Sequence, residues 1–235
     1  MPSVERILAI DASAGACSAA LWRREAVVAS RSAAMERGHA EALMPMIVAT
    51  VADAAESLRS LDAVAVTVGP GAFTGIRIGL ATARGIGLAA GIPVVGVTTF
   101  AAVAAALAPV PANSAMIVLI DSKRGDVFAQ RFSGALEPIG QPTVLAPVAA
   151  AEFLPAAPVL LAGDGVALVR PYLALARPDA AYALDGQGPD AVHVAPLAAR
   201  LIATGGGLPP VPLYLRSPDV RMPGPADRTA TAGRP

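Results

Sequence analysis

Two apolar runs, each ending in Ile-Asp, open the two halves of this chain and constrain its fold more than any other feature. Residues 6–11 (Arg-Ile-Leu-Ala-Ile-Asp) and residues 116–121 (Met-Ile-Val-Leu-Ile-Asp) are each followed by a small polar turn and another strand-like run. Residues 66–71 and residues 159–165 are a second pair of similar segments, and each precedes a helical pattern. Repetition of a β-β-β-α-β-α unit predicts two similar lobes, and chance similarity between hydrophobic strands is the alternative.

The apolar periodicity predicts the order β-β-β-α-β-α-β-α for the first half. The predicted strands cover residues 6–11, 16–22, 26–31, 63–68 and 94–97, and the predicted helices cover residues 39–58, 74–90 and 99–107. The second half has predicted strands at 116–121 and 127–132, proline-rich connections over 138–158, and a last helix at 190–204. We expect an N-terminal lobe at 1–108, a smaller degenerate lobe at 109–215, and a disordered, Pro/Gly-rich tail at 216–235.

Composition excludes several functional classes. The formal net charge is zero, so the chain lacks the overall basic field that strong independent nucleic-acid binding requires. One cysteine, Cys17, excludes a disulfide framework and a cysteine-based zinc site. The single cysteine leads us to expect a cytoplasmic protein. The uncharged stretch between Arg84 and Asp121 is broken by prolines and a short strand pattern, so we expect no membrane span.

The glycine-rich stretch at residues 67–79 looks like a phosphate-binding loop but lacks its chemistry. No lysine follows its glycines as a P-loop requires, and Gly69, Gly71 and Gly75 do not have the G-x-G-x-x-G spacing of a dinucleotide site. The remaining nucleotide arrangement is that of actin and the sugar kinases, with turns after Asp11 and Asp121 facing a nucleotide. The alternative is that these two acids only cap turns.

Metal-dependent and nucleophilic catalysis have little support in the sequence. The two histidines, His39 and His193, lie far apart and form no H-E-x-x-H or H-x-x-x-H pair. No G-x-S-x-G elbow is present. We interpret His39 as a partly exposed residue at the start of a helix rather than as a catalytic base.

The helices at 39–58 and 74–90 are candidate partner-binding elements. Small residues recur every four positions on the second helix and would let another backbone approach closely, although packing on the chain's own sheet explains them equally well. We expect a large residue at position 79 or 83 to abolish association without unfolding the monomer. The candidate partner-binding residues are His39, Leu43, Ile47, Gly75, Gly79, Ala83 and Gly87.

The stretch Gly-Pro-Gly-Ala-Phe-Thr-Gly-Ile-Arg-Ile-Gly at residues 69–79 closely resembles the signature of the TsaB (YeaZ) family. The resemblance extends to residues 10–13, 39–45, 91–100 and 212–216, and so covers the chain up to its tail. It implies an α/β fold of the actin-like ASKHA (ribonuclease H-like) type, with two lobes of which the second is degenerate. The signature residues are Asp11, Ser13, Gly69, Pro70, Gly71, Phe73, Thr74 and Arg77.

The resemblance also implies a function. TsaB-like proteins are non-catalytic partners in making threonylcarbamoyladenosine (t6A) at the tRNA adenosine 3′ of the anticodon. They bind and activate a TsaD-like transferase, and a TsaE-like ATPase joins them. The resemblance implies contact with tRNA only through this complex and leaves a homodimer open for the isolated chain. It implies no catalytic residue, no metal and no cofactor, with weak ATP and magnesium association left open within the complex.

One comparison with the catalytic paralogs supports the non-catalytic expectation. Their metal-binding histidine pair aligns best with Thr99 and Val103 here, and valine cannot ligate a metal. The alternative function is an ATP- and magnesium-dependent enzyme of the sugar-kinase type that uses Asp11 or Asp121.

Overall fold

The computed structural model describes residues 4–107 and 115–216, which form two five-stranded sheets with helices on their faces. The predicted boundary at 108/109 and residues 217–235 of the predicted tail lie outside these ranges. In the first sheet the strand order is β3-β2-β1-β4-β5, and in the second it is β10-β9-β6-β7-β8. The strands are β1 (Arg6–Asp11), β2 (Ala16–Arg23), β3 (Ala26–Ala34), β4 (Ala63–Thr67), β5 (Val94–Val97), β6 (Ala115–Asp121), β7 (Val127–Phe132), β8 (Pro138–Leu145), β9 (Val159–Gly163) and β10 (Ala181–Asp185).

The two halves share one connectivity. In each, a three-stranded antiparallel meander is followed by a helical segment, a parallel strand beside the first strand, a helix and an outer parallel strand. This repetition confirms the predicted α/β architecture of two lobes. The helices are α1 (His39–Asp53), α2 (Phe73–Ala90), α3 (Thr99–Ala105), α4 (Ala150–Phe153), α5 (Val166–Ala176) and α6 (Ala191–Ala203), with short 3-10 turns at Leu58–Ser60 and Pro147–Ala149.

Both faces of the first sheet are covered, which explains why its central strands are apolar along their whole length. Alternate residues such as Leu8 and Ile10 pack against α1 and α2, whereas Ile7 and Ala9 pack against α6. The first sheet therefore needs a helix from the second half of the chain to bury its other face.

The last helices of the two halves are exchanged between the sheets. Helix α3 packs Phe100 and Val103 against Met116 and Phe128 of the second sheet. Helix α6 packs against β1 and β2 of the first sheet, and Ser18 Oγ accepts a hydrogen bond from the Ala191 amide at 2.9 Å. The halves are thus joined through a common interior, and the division into lobes at 108/109 stays a prediction.

Three elements differ from the sequence expectations. Strand β8 lies in a region expected to be proline-rich connection, and its prolines are tolerated because it is an edge strand. Strand β10 forms the opposite edge. Helix α1 ends at Asp53 rather than at residue 58, because Ala55 adopts a left-handed φ of 55° and the Glu56 amide donates to Val51 O.

No helix within residues 4–107 and 115–216 is long and apolar enough to cross a lipid bilayer.

Candidate functional site

The glycine-rich turn packs directly on the turn that follows β1. The Ala72 amide donates a hydrogen bond to Ser13 O at 2.7 Å. A Cβ added to Gly71 would overlap this same oxygen, and a Cβ added to Gly75 would overlap Ala12 O. The glycines therefore allow close approach of two backbone segments. The Ala72 amide is therefore already hydrogen-bonded within the chain.

Asp11 lies at the carboxyl end of β1 and is fully buried. Its Oδ1 accepts hydrogen bonds from Ser13 Oγ at 2.7 Å and from Thr67 Oγ1 at 2.5 Å, and Thr99 Oγ1 in turn donates to Ser13 Oγ at 3.2 Å. Its Oδ2 is buried without a hydrogen-bond partner among the described residues. Burial raises the pKa of Asp11 to about 6, and the charge of Asp190 adds to this effect, although the hydroxyl donors oppose it.

The matching hairpin of the second half carries the only lysine of the chain. Lys123 Nζ lies 3.0 Å from Asp121 Oδ2 and 3.4 Å from Asp164 Oδ2. Partial burial opposes the charge of Lys123, but its hydrogen bond to Asp121 and the charges of both aspartates outweigh this and raise its pKa. Burial raises the pKa of Asp164 even though the Asp121 amide and Lys123 lower it. The Lys123 ammonium is thus held between two carboxylates.

The two hairpin turns face each other across a crevice, as the actin-like arrangement predicts. The crevice has a volume of about 770 Å³ and is lined by Ala14 and Gly15 from the first hairpin, by Lys123 from the second, and by Glu36 and His39. Its volume would admit a nucleotide, but the two groups that could bind a phosphate already have partners within the chain. The Ala72 amide is bonded to Ser13, and Lys123 is neutralised by Asp121 and Asp164.

The predicted partner-binding residues lie inside the chain rather than on its surface. Leu43, Ile47 and Ala83 belong to the core between the first sheet and helices α1 and α2. Gly79 faces Val66 and Ala12, and its small size serves the helix–sheet contact that the sequence left as the alternative. Our expectation that these side chains form a partner-binding surface is therefore corrected, because they are buried in the chain. All seven are buried: His39, Leu43, Ile47, Gly75, Gly79, Ala83 and Gly87.

The structure also places the residues that were considered for metal binding. His39 is nearly buried, not partly exposed as expected, and its Nε2 lies 3.3 Å from Ala14 O. His193 is on α6, and burial lowers its pKa. Thr99 and Val103 are buried in α3. Within the described ranges, no group of three or more His, Cys, Asp or Glu side chains is placed to hold a metal ion.

A surface cluster that joins distant parts of the chain was only partly visible in the sequence. The rings of Phe73 and Tyr214 stack with centroids 5.7 Å apart, and the Arg77 guanidinium lies 3.6 Å from the centre of the Phe73 ring. Arg77 Nε donates to the Tyr214 hydroxyl at 3.0 Å. Phe73, Arg77 and Tyr214 all stood in matching motifs, but the sequence could not show that residues 137 positions apart meet.

The chain matches known proteins over most of its length. Residues 28–169 match the family described as TsaD, tRNA N6-adenosine threonylcarbamoyltransferase. An uncharacterized protein of Mycobacterium tuberculosis is 34% identical over 222 residues, which cover 93% of this chain and 95% of that protein. The tRNA threonylcarbamoyladenosine biosynthesis protein TsaB of Escherichia coli is 35% identical over 123 residues, which cover 52% of this chain and 53% of that protein.

A solved structure agrees with these matches. YeaZ from Pseudomonas aeruginosa is 28% identical and superposes with a TM-score of 0.78, covering 90% of this chain and 100% of that one. The sequence signature, the duplicated fold and these similarities lead to one conclusion: the chain belongs to the TsaB (YeaZ) family.

Proposed function

We propose that this chain is a non-catalytic subunit in t6A biosynthesis, which binds a TsaD-like transferase through the outer faces of α1 and α2 and thereby activates it. Membership of the TsaB family supports the role in t6A biosynthesis, since relatives carry that role in their names. A TsaE-like ATPase and a second copy of this chain are further proposed partners.

The choice of α1 and α2 as the partner-binding surface rests on the composition of their outer face. These helices contact each other, and their exposed stripes are made mainly of apolar or small residues. Val48 is 52% exposed and Leu88 is 87% exposed. An exposed helix face normally carries charged residues, so an apolar one indicates a protein contact. The apolar and small exposed residues are Ala40, Met44, Val48 and Ala52 of α1 and Ala81, Gly85, Leu88 and Ala89 of α2, and the charged exposed residues of the same helices are Glu41, Asp53, Arg77 and Arg84.

The state of the crevice supports the absence of catalysis. A sugar-kinase mechanism needs a free carboxylate for magnesium and free donors for phosphate. Here the Asp11 carboxylate is enclosed by hydroxyl groups in the interior, and Lys123 is shared between Asp121 and Asp164. The polar contacts of Asp11 and those of Lys123 are each made within their own half of the chain.

Charge placed on the outer face tests this surface. The double variant Val48→Asp/Leu88→Asp should bind the TsaD-like transferase of the same organism at least about a hundredfold more weakly, because two carboxylates would be desolvated in the contact. Analytical ultracentrifugation of the mixed proteins measures this affinity. The matched control is Val148→Asp/Leu175→Asp, which changes the same residue types at sites that are 67% and 95% exposed in the second half.

The control pair should bind as the wild type does, and all three proteins should unfold at similar temperatures because every changed side chain is exposed. Unchanged affinity of the Val48/Leu88 variant would remove α1 and α2 from the interface. Equal loss in both double variants would show a general effect of added negative charge and would likewise contradict the assignment.

A further inference from the structure

We propose that residues 213–216 form a latch that opens and closes over a cavity between the two halves while the rest of the fold stays intact. The segment before the latch is tied to the edge of β5, where the Gly96 amide donates to Leu208 O at 2.7 Å and the Leu208 amide donates to Gly96 O at 3.1 Å. The chain is therefore held on the first half at Leu208, independently of the latch.

The latch is attached to both halves of the chain. Leu213 packs against the core of the first sheet, and its amide donates to Val68 O at 2.8 Å. Leu215, two residues later, packs against the core of the second sheet. Arg216 pairs with Asp126 in the turn between β6 and β7. A closed latch therefore holds the two halves together at the mouth of the cavity.

The cavity shows that the two halves are not close-packed beneath the latch. Its volume is about 410 Å³, and it is lined by the glycine-rich turn and Ile76 from the first half, by Phe128 from the second half, and by all four residues of the latch. Leu213 O and Ile76 Cδ1 lie 3.0 and 2.9 Å from the point that a Cβ added to Gly69 would occupy, so the latch lies directly over Ile76. A segment above such a space gains less from packing than one on a close-packed core.

The latch is held less firmly than the strands around it. Among the described residues it makes one backbone hydrogen bond. Leu213 and Leu215 are only partly buried, and Tyr214 is 41% exposed. The side chains of Arg216 and Asp126 are also partly exposed, so water and salt weaken their ion pair. A segment with so few buried contacts opens at a lower free-energy cost than the whole fold unfolds.

Opening changes the surface of α2 as well as access to the cavity. In the closed latch the Tyr214 ring stacks on Phe73 with centroids 5.7 Å apart, and its hydroxyl accepts a hydrogen bond from Arg77 Nε at 3.0 Å. An open latch removes Tyr214 from this cluster and uncovers the apolar side chains of Ile76 and Phe128. The latch therefore controls both the entry to the cavity and the order of the aromatic cluster.

Thiol labelling of the full chain measures the opening directly. In a Cys17→Ala background, Ile76→Cys places a probe under the latch, and Ile86→Cys places a matched probe on the same helix and in the same core but outside the cavity lining. Both isoleucines are buried. With dithionitrobenzoate at about pH 8, Ile76→Cys should react at least about tenfold faster than Ile86→Cys, because its exposure requires only the latch to open.

Variants that loosen the latch supply the second part of the test. Leu215→Ser removes the apolar contact with the second half and should raise the labelling rate of Ile76→Cys by about tenfold or more. Asp126→Asn removes only the charge that Arg216 pairs with and should raise that rate by about twofold to fivefold. Neither variant should change the labelling rate of Ile86→Cys. The milder Asp126→Asn keeps the test available if Leu215→Ser does not fold.

Matched controls separate the latch from general effects of substitution. Leu175→Ser on the exposed side of α5 and Asp179→Asn, which breaks the ion pair with Arg177, should leave both labelling rates unchanged. Equal rates at the two probe positions would show that the latch opens only with the whole fold. Fast labelling of Ile76→Cys that neither loosening variant accelerates, or equal acceleration by the control variants, would likewise overturn the proposal.

Discussion

The buried carboxyl group of Asp11 should make the stability of this protein depend on pH in an unusual direction. The pKa of Asp11 is about 6 in the folded chain, against an ordinary value of 3.8. Below about pH 4 the group is protonated in both the folded and unfolded chain, whereas above about pH 6 the folded chain must hold a buried carboxylate. The stabilising contribution of the neutral acid is therefore lost as the pH rises through this window, by about 3 kcal/mol in total.

The variant Asp11→Asn isolates this contribution from every other titrating group. Asparagine keeps an oxygen that can accept from Ser13 and Thr67 but cannot ionise. Urea unfolding of both proteins between about pH 3 and about pH 7.5 should show the variant gaining about 3 kcal/mol relative to the wild type across that range. A free-energy difference between the two proteins that stays constant with pH would refute the burial argument, whatever its absolute size.

Two other features give predictions of similar sharpness. Gly75→Ala should destabilise the fold by about 3 kcal/mol because the new Cβ would overlap the backbone oxygen of Ala12, whereas Gly85→Ala on the same helix meets open space and should stabilise by about 0.5–1 kcal/mol; denaturant titration measures both, and equal effects would contradict the packing. Burial, reinforced by the charge of Asp11, raises the pKa of the Cys17 thiol to about 11, so dithionitrobenzoate at about pH 8 should label it only after unfolding, and rapid labelling of the native protein would contradict its burial.

Much of the fold could be predicted because it follows from local patterns. The Ile-Asp endings of β1 and β6 and the apolar runs beside them identify central strands that are buried on both faces. The edge strand β8 could not be recognised this way because it contains prolines, and the edge strand β10 was missed as well. The exchange of α3 and α6 between the sheets is a long-range contact that no local pattern specifies.

The partner-binding residues could be predicted less well from the sequence than the fold. A stripe of small residues on α2 marks a close contact, but the sequence could not tell a partner helix from the chain's own sheet. In the structure, Gly79 of the inner stripe packs against Val66 and Ala12. A large residue at position 79 would therefore disturb the core instead of testing association. The outer side of α2, with Gly85 and Leu88, also carries small and apolar residues, but it faces outward and includes Arg84.

The central claim is that this chain supports t6A formation by association and not by chemistry of its own crevice. The most direct measurement is the t6A content of tRNA, by mass spectrometry of nucleosides, after reconstitution with the TsaD-like transferase, the TsaE-like ATPase, threonine, bicarbonate and ATP and with the enzyme that makes the threonylcarbamoyl donor. We predict that the yield requires this chain, is abolished by Val48→Asp/Leu88→Asp, and survives Lys123→Met, which removes the only lysine of the crevice. Loss of t6A in Lys123→Met with assembly intact, or full yield without this chain, would contradict the account.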